Sequence, residues 1–228
     1  MQKLNLLTYA DELYRPIQKR LVEHAQSLSC FDVIYTRNRS HLVETDFYRY
    51  NKYILDKPKG SGLCLWKPHY ILDTLNRMAE GDILVYMDAA DWIENGETLR
   101  AEVLDYMYDK NIVLTAGAFP NRMYTKRDCF VVMGCDSSTY WDAIQIEAGI
   151  IVVKNNDYTK KILLEYLSYC KMPACITEDA NICGRDNFPE FKEGRYDQQI
   201  LSLIAVSNNI LPVDFMRKFI VCNVNMPV

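Results

Sequence analysis

The stretch GDILVYMDAADW, residues 81–92, decides the fold class and also raises the question of function. Its apolar run of β-forming residues at 82–88 predicts a strand that is buried in the middle of a sheet. Two carboxylates, Asp88 and Asp91, follow at the end of that strand. Because burying an unpaired charge costs on the order of several kcal/mol, the pair either forms a surface turn or binds something positive.

Strands and helices alternate on both sides of this stretch. Gly60 and Gly62 predict a flexible loop, and Pro68 suits the first turn of a helix that ends near Gly81. The other predicted strands lie at 4–9, 31–36, 112–117, 148–155 and 209–214, and the other helices at 11–28, 97–109, 159–170 and 195–207. This alternation predicts an α/β sandwich around a mostly parallel sheet.

Composition excludes several classes of partner. The 228 residues carry a net charge of −4, with 49% hydrophobic and 25% charged residues, which is typical of a globular protein with a sizeable core. Lys and Arg form no cluster, so we expect no nucleic-acid partner. The sequence shows no signal peptide and no run of about 18 apolar residues, so we expect a cytoplasmic protein without a membrane span. Nothing indicates the oligomeric state.

The eight cysteines predict reduced, mostly buried thiols. Their spacing contains no C-x-x-C, and the cluster Cys170, Cys175 and Cys183 has no neighbouring His. Structural zinc is therefore the less favoured alternative.

Polar and aromatic groups follow three of the predicted strands. Tyr9, Arg37 and Asp88 each stand at a strand end, and open α/β sheets bind ligands beyond the carboxyl ends of their strands. Mg²⁺ and Mn²⁺ prefer carboxylate oxygens and are commonly shared with substrate phosphates. Asp88 and Asp91 are thus candidate cation ligands, with Asp91 as a helix N-cap the alternative interpretation.

Five segments in this order resemble the GT-A glycosyltransferases, especially small bacterial and viral enzymes that build surface polysaccharides. They are GSGLCLWKPHYIL (60–72), GDILVYMDAAD (81–91), TKRDCFVVMGCD (125–136), QIEAGIIVVKN (145–155) and GRYDQQILSLI (194–204). The resemblance covers about residues 4–214. It implies a GT-A-type, Rossmann-like α/β/α sandwich and one domain over 1–228, with a nucleotide-binding half at about 1–92 and an acceptor and catalytic half at about 93–228.

The resemblance implies a divalent cation, Mn²⁺ or Mg²⁺, and a nucleotide-sugar donor, most simply a UDP-sugar. Asp88 matches the first acid of the family's D-x-D motif, while Ala90 stands where the second acid is usual, so Asp91 is the nearest second ligand. Retaining relatives often add a late His ligand, but this chain has only His24, His41 and His69.

Donor-binding roles follow position by position. The resemblance places Tyr9 to stack on a nucleobase and Thr8 to hydrogen-bond it, with simple packing as the alternative for Tyr9. Arg37 and Arg39 would neutralise phosphate with their forked donors, unless they belong to a solvated loop.

The W-K-P segment and the strand at 145–155 would complete the donor site. Lys67 would reach the donor phosphates and Trp66 would wall the pocket, the alternative being that both only begin a helix. Gln145 and Glu147 would face the donor sugar, and the small Ala148 and Gly149 would let the sugar approach the backbone closely.

Asp197 and Gln198 resemble the D-Q pair that lies beside the anomeric carbon in retaining relatives, although Asp197 could instead be a first-turn acid. An inverting enzyme would need a carboxylate base, for which Glu147, Asp142 and Asp197 are candidates. We expect a transferase that moves a sugar to a glycan acceptor, with retention slightly favoured. A degenerate nucleotide-sugar-binding module and a nucleotide-sugar hydrolase or pyrophosphorylase are the alternatives.

Overall fold

The computed structural model describes residues 2–222, which fold around a five-stranded sheet covered by helices. The predicted domain bounds also include residues 1 and 223–228, which lie outside the described residues. The strands are β1 (Leu4–Ala10), β2 (Val33–Asn38), β3 (Ile83–Asp88), β4 (Trp92–Ile93), β5 (Ile112–Pro120), β6 (Ile144–Lys154) and β7 (Ile220–Val221).

Helices of two lengths connect these strands. The long ones are α1 (Arg15–Leu28), α3 (Asp46–Leu55), α5 (Trp66–Leu75), α6 (Gly96–Tyr106), α10 (Asp157–Cys170) and α12 (Tyr196–Ser207). The short ones are α2 (Ser40–Val43), α4 (Gly60–Leu63), α7 (Asn121–Tyr124), α8 (Arg127–Val132), α9 (Ser138–Trp141), α11 (Pro173–Ile176) and a 3₁₀ helix at Phe215–Lys218. Within the described part of the chain, none of these helices has both the length and the apolar character needed to cross a bilayer.

The main sheet has the order β2-β1-β3-β6-β5. β1 pairs in parallel with both β2 and β3, whereas β6 is antiparallel to its neighbours β3 and β5. Every strand of this sheet except β6 therefore runs in the same direction. The α/β prediction and the mostly parallel sheet are confirmed, and the reversal of β6 is an addition.

The central strand β3 is buried on both faces, as its continuous apolar sequence predicts. Leu84 and Tyr86 pack into one core with α5, α10 and α12. Val85 and Met87 pack into a second core on the other face, with α1 and α6. The sheet is thus the middle layer of an α/β/α sandwich, and its edge at the end of β3 is held rigidly from both sides.

The prediction of a strand at 209–214 is wrong. The segment 209–214 is not a strand, because its pairing with the sheet is limited to one bridge between Val213 and Thr115. The polar segment after β2, for which no element was predicted, contains α2 and the start of α3.

The segment Gly60–Cys64 is an ordered left-handed turn and not the flexible loop that its glycines predict. Its five residues have φ angles between +50° and +101°. Gly62 is required there, because an added Cβ would lie 2.7 Å from the Cα of Leu55. Ser61, Leu63 and Cys64 adopt the same handedness at a cost of roughly 1–2 kcal/mol each, a strain that proteins concentrate at functional sites.

All eight cysteines are free thiols, as predicted. The five that are buried are Cys30, Cys129, Cys135, Cys170 and Cys175.

Candidate functional site

Asp88 lies between two clefts at the edge where β1, β2 and β3 end. Tyr9 is paired in register with Arg37 on one side and with Asp88 on the other, so the three predicted strand ends do meet. The first cleft, of about 350 Å³, is called the aromatic cleft and is lined by Tyr9, Asp11, Tyr14, Ser61, Trp66 and Asp88, among others. The second, of about 320 Å³, is called the polar cleft and is lined by Asp88, Asp91, Phe119, Tyr124, Gln145, Glu147, Gly149, Arg195, Gln198 and Cys222, among others.

The antiparallel strand β6 forms one wall of the polar cleft. Because β6 is antiparallel to β3, with Met87 opposite Ile150, the first half of β6 lies beside the end of β3. Gln145, Glu147 and Gly149 therefore reach the same edge of the sheet as Asp88. The sequence prediction that Gln145 and Glu147 face the pocket agrees with this placement.

Asp88 and Asp91 converge above the backbone of Gly149. A Cβ built on Gly149 would lie 3.3 Å from Oδ2 of Asp88 and 3.4 Å from Oδ2 of Asp91, so both oxygens approach one point. The Asp91 N–H donates to the Asp88 carbonyl (3.1 Å), which folds the pair into a turn. Asp91 does not cap α6, whose N-cap residue is Asn95. Two converging carboxylates above a residue without a side chain fit a Mg²⁺ or Mn²⁺ ion that takes its other ligands from substrate and water.

Replacing Gly149 with alanine is expected to weaken Mn²⁺ binding about 10- to 100-fold, the range seen when partners of metal ligands are changed. The new methyl group would lie 3.3 Å from Oδ2 of Asp88 and 3.4 Å from Oδ2 of Asp91, and so occupy the position from which a cation would contact both oxygens. Because Gly149 lines the cleft, we expect the fold to be kept. Competition with a Mn²⁺-sensitive dye measures the affinity. An unchanged value would contradict a cation site formed by Asp88 and Asp91 above Gly149, which we call the cation cradle.

Gly81→Ala is the control for this variant. Gly81 has a φ of +83° and no atom within 4 Å of an added Cβ, and it precedes β3 at the opposite edge of the sheet. We expect it to lose roughly 1 kcal/mol of stability, because alanine is strained at positive φ, and to keep the Mn²⁺ affinity of the unmodified chain.

A tyrosine of the same strand orients Asp88. The Tyr86 hydroxyl donates to Oδ1 of Asp88, and Tyr86 itself is 1% exposed. Oδ1 is therefore engaged on the protein side, while Oδ2 is the oxygen that faces Gly149. Tyr86 was missed as a site residue, although its position two residues before Asp88 on a strand places it on the same face.

Lys67 is a buried counter-ion and is not available to donor phosphates. Its Nζ donates to the Ala148 carbonyl (2.9 Å) and lies 3.2 Å from Oδ2 of Asp197 and 3.6 Å from Oδ1 of Asp88. Burial alone would lower the pKa of Lys67, but the carboxylates of Asp197 and Asp88 outweigh it and raise the pKa well above its usual value. The predicted phosphate contact of Lys67 is corrected accordingly.

Asp197 is likewise not a cleft residue. It is 3% exposed, and its Oδ2 accepts a hydrogen bond from Tyr166 (2.7 Å) in addition to the contact with Lys67. Burial raises the pKa of Asp197 while the ammonium and the hydroxyl oppose the rise. The ammonium of Lys67 at 3.2 Å favours the ionised form of Asp197. A direct catalytic role for Asp197 is therefore not supported by its position.

Gln198 and Glu147 do line the polar cleft. Gln198 accepts from the Ala148 N–H (3.2 Å) and donates to Oε1 of Gln145 (3.0 Å), which fixes both amides. Glu147 accepts from Arg217 (2.9 Å). Asp142, the third candidate base, lies outside the cleft lining and pairs with Arg122.

The aromatic cleft holds some of the predicted nucleotide-binding residues. Tyr9 stacks on Trp66 with ring centroids 3.7 Å apart, and its hydroxyl lies 3.2 Å from Oγ of Ser61 in the left-handed turn. One face of Tyr9 is therefore already covered, while Trp66 walls the cleft as predicted. Thr8 is fully buried, so it does not reach a ligand in the cleft. The half-exposed ring of Tyr14 also lines this cleft and was missed, since nothing in its sequence context distinguishes it.

Arg37 and Arg39 bind protein acceptors. Arg37 pairs with Asp73 (3.4 Å), and Arg39 donates to Asp56 (2.9 Å) and to the Leu55 carbonyl (2.7 Å). Neither lines the two clefts. The structure therefore does not support their predicted phosphate contacts.

The polar cleft concentrates negative charge. Burial raises the pKa of Cys222 to about 12, with further contributions from Asp91 and Glu147. Among the described residues that line either cleft, Arg195 provides the one cationic side chain. The arrangement suits a ligand that brings its own cation or shares one with Asp88.

Comparisons with known proteins find structural relatives only. No family model matches the chain, and no curated protein matches it. A glycosyltransferase involved in the glycosylation of the major capsid of PBCV-1 is 12% identical, over 73% of this chain and 65% of its own, with a TM-score of 0.37. The WbbM bifunctional glycosyltransferase is 11% identical, over 89% of this chain and 37% of its own, with a TM-score of 0.48. Mouse xyloside xylosyltransferase 1 is 11% identical, over 91% of this chain and 70% of its own, with a TM-score of 0.47.

These three structures are all described as glycosyltransferases. The chain spans less than two thirds of the first two relatives.

Proposed function

We propose that this chain is a glycosyltransferase that moves a sugar from a nucleoside diphosphate donor, most simply a UDP-sugar, to a glycan acceptor with the help of Mn²⁺ or Mg²⁺. One observation carries the proposal: the carboxylate of Asp88 borders both clefts and converges with Asp91 above the bare backbone of Gly149. A ligand with an aromatic base at one end, a sugar at the other and a diphosphate between them matches this order.

Each part of the donor has a candidate partner. The nucleoside would lie in the aromatic cleft beside Tyr14 and Trp66, and the diphosphate at the boundary formed by Asp88. When bound, a divalent cation would offset the charge of the diphosphate and assist its departure. The sugar would enter the polar cleft, where the amides of Gln145 and Gln198 are fixed by each other and can orient its hydroxyls.

Retention of anomeric configuration is the stereochemical outcome that we propose. The amide of Gln198 lines the cleft, whereas the carboxylate of Glu147 is bound to Arg217 and Asp197 is buried. Of the predicted bases, only Glu147 lines the polar cleft, and its pairing with Arg217 favours a charge-balancing role over that of a base. Proton NMR of the initial product distinguishes the two anomers, and an inverted product would point to Glu147 as base.

Calorimetry with UDP tests the donor site. We expect binding with Mn²⁺ to be at least about tenfold tighter than binding in the presence of EDTA, because the cation must offset two carboxylates as well as the diphosphate. Uridine should bind more weakly and with no dependence on Mn²⁺. Equal UDP affinity with and without metal would contradict the proposed cation site.

A nucleotide-sugar-binding module without transfer activity is the second candidate. Among the described residues, no group of three or more His, Cys, Asp and Glu side chains is arranged to hold a metal, so the site relies on two carboxylates. Incubation with UDP-glucose, UDP-galactose, UDP-N-acetylglucosamine and UDP-xylose separates the candidates. Metal-dependent release of UDP from a donor supports the enzyme, and donor binding without release over hours supports the module. Release of UMP or of sugar 1-phosphate would instead indicate a hydrolase or pyrophosphorylase.

A further inference from the structure

Arg195 is placed to bind an anionic group of the substrate. It lines the polar cleft at the start of α12, and its guanidinium lies over the ring of Tyr124 at 4.6 Å from the centroid. Its backbone N–H also donates to the Tyr124 carbonyl (3.2 Å). Arg195 is thus held against the cleft wall at both ends, which reduces the entropy that it loses when a ligand binds.

The existing ion pair of Arg195 does not block a ligand. Glu193 lies 3.0 Å from Nε, and both side chains are about half exposed (46% and 53%). Exposed pairs of this kind contribute little to stability. Because the contact uses Nε, the terminal nitrogens of the fork remain available for a two-pronged contact with an anion.

Several of the other charged side chains in and beside the polar cleft are paired with each other. A divalent cation shared by Asp88, Asp91 and the diphosphate would offset only part of their combined negative charge. Glu147 is balanced by Arg217 and Lys67 by Asp197. Arg195 is the one cationic side chain among the described residues that line either cleft, so it is the candidate partner for the remaining charge of an incoming diphosphate.

Gln198 connects Arg195 to the cation cradle. It lies one turn further along α12, and it accepts from the N–H of Ala148, the residue before Gly149. Arg195 is therefore linked through Gln198 and Ala148 to the cation cradle. It also lines the same cleft as Asp88, and this cleft would hold the donor sugar and the phosphate bonded to it.

We propose that Arg195 binds the diphosphate of the donor and stabilises it as the leaving group. This assignment rests on the proposed function. A carboxylate of an acidic acceptor sugar would offer the same chemistry to the guanidinium, so the experiment must separate these two sources of the anion.

Calorimetry on Arg195→Met tests the phosphate contact. With Mn²⁺ present, we expect UDP to bind about 10- to 100-fold more weakly than to the unmodified chain, as for the loss of a hydrogen-bonded charge, and uridine to bind equally to both. Arg195→Lys should be intermediate, since an ammonium cannot form the fork. Arg49→Met is the matched control, because Arg49 forms an exposed pair with Asp46 and lines neither cleft.

Each result either supports or contradicts the assignment of Arg195. If Arg195→Met binds UDP as tightly as the unmodified chain does, the phosphate assignment is overturned. If, in addition, the variant loses transfer only to a glucuronate-terminated acceptor and keeps transfer to the matching neutral acceptor, the anion belongs to the acceptor. If the unmodified chain itself binds neither Mn²⁺ nor UDP, the proposed function fails and the assignment of Arg195 fails with it.

Discussion

Asp88→Asn is expected to abolish Mn²⁺-dependent UDP binding and to lower the transfer rate by a factor of at least about 10²–10³, as for the loss of one group that stabilises developing charge. Asparagine keeps the shape of the side chain and can still accept the hydrogen bond from Tyr86. It removes the negative charge that faces Gly149. Calorimetry with UDP and Mn²⁺ and a UDP-release assay measure the two effects.

The fold should survive this substitution. Lys67 keeps its contacts with Asp197 and the Ala148 carbonyl when Asp88 loses its charge, and the Asp88 side chain is 43% exposed. Asp109→Asn is the matched control, since Asp109 forms an exposed pair with Lys110 and lines neither cleft. A variant at position 88 that unfolds at the same denaturant concentration as the control yet retains full activity would refute the role of Asp88.

Lys67→Met is expected to destabilise the protein by about 3–5 kcal/mol, the range for breaking a buried ion pair by removing one partner. Methionine replaces most of the lysine side chain, being one atom shorter, but leaves Asp197 buried without its counter-charge. Urea unfolding followed by tryptophan fluorescence measures the change. A loss below about 1 kcal/mol would mean that Asp197 is not ionised in the fold.

The double variant Lys67→Met, Asp197→Asn isolates the cause. With both charges removed, Tyr166 can still donate to the asparagine oxygen, and most of the lost stability should return. The single and double variants thus differ only in the uncompensated carboxylate. If the double variant is as unstable as the single one, the loss comes from packing and not from charge.

The raised pKa of Lys67 also predicts how this residue affects stability at different pH values. A lysine whose pKa is higher in the folded state than its ordinary 10.5 stabilises the fold fully below that pH. The contribution is lost only as the pH rises above it. Lys67 should therefore add no pH dependence to stability across the neutral range.

The sequence predicts those parts of the fold that depend on local patterns. The apolar run of β3, the helical period of α10 and the start of α12 all follow from residues close together in the chain. Asp88 is found in the same way, since the carboxyl end of a buried strand is where α/β sheets place ligands.

Contacts between distant residues were not predictable from these patterns. Lys67 appears free to bind phosphate until the fold brings Asp197, from a helix much later in the chain, to 3.2 Å from its ammonium. Arg37 and Arg39 likewise form ion pairs, with Asp73 and Asp56 respectively. Arg195 stood within a quoted motif, but only the cleft geometry distinguishes it from other exposed arginines.

The position of Asp88 on the border of both clefts has a consequence for inhibitor chemistry. A small chelating group, such as a hydroxamate, would bind a divalent cation held by that carboxylate and carry an aryl arm towards Trp66 and a polyol arm towards Gln198. Because each arm would enter a different hollow of the surface, the two halves of such a compound could be optimised separately and then joined without competing for space.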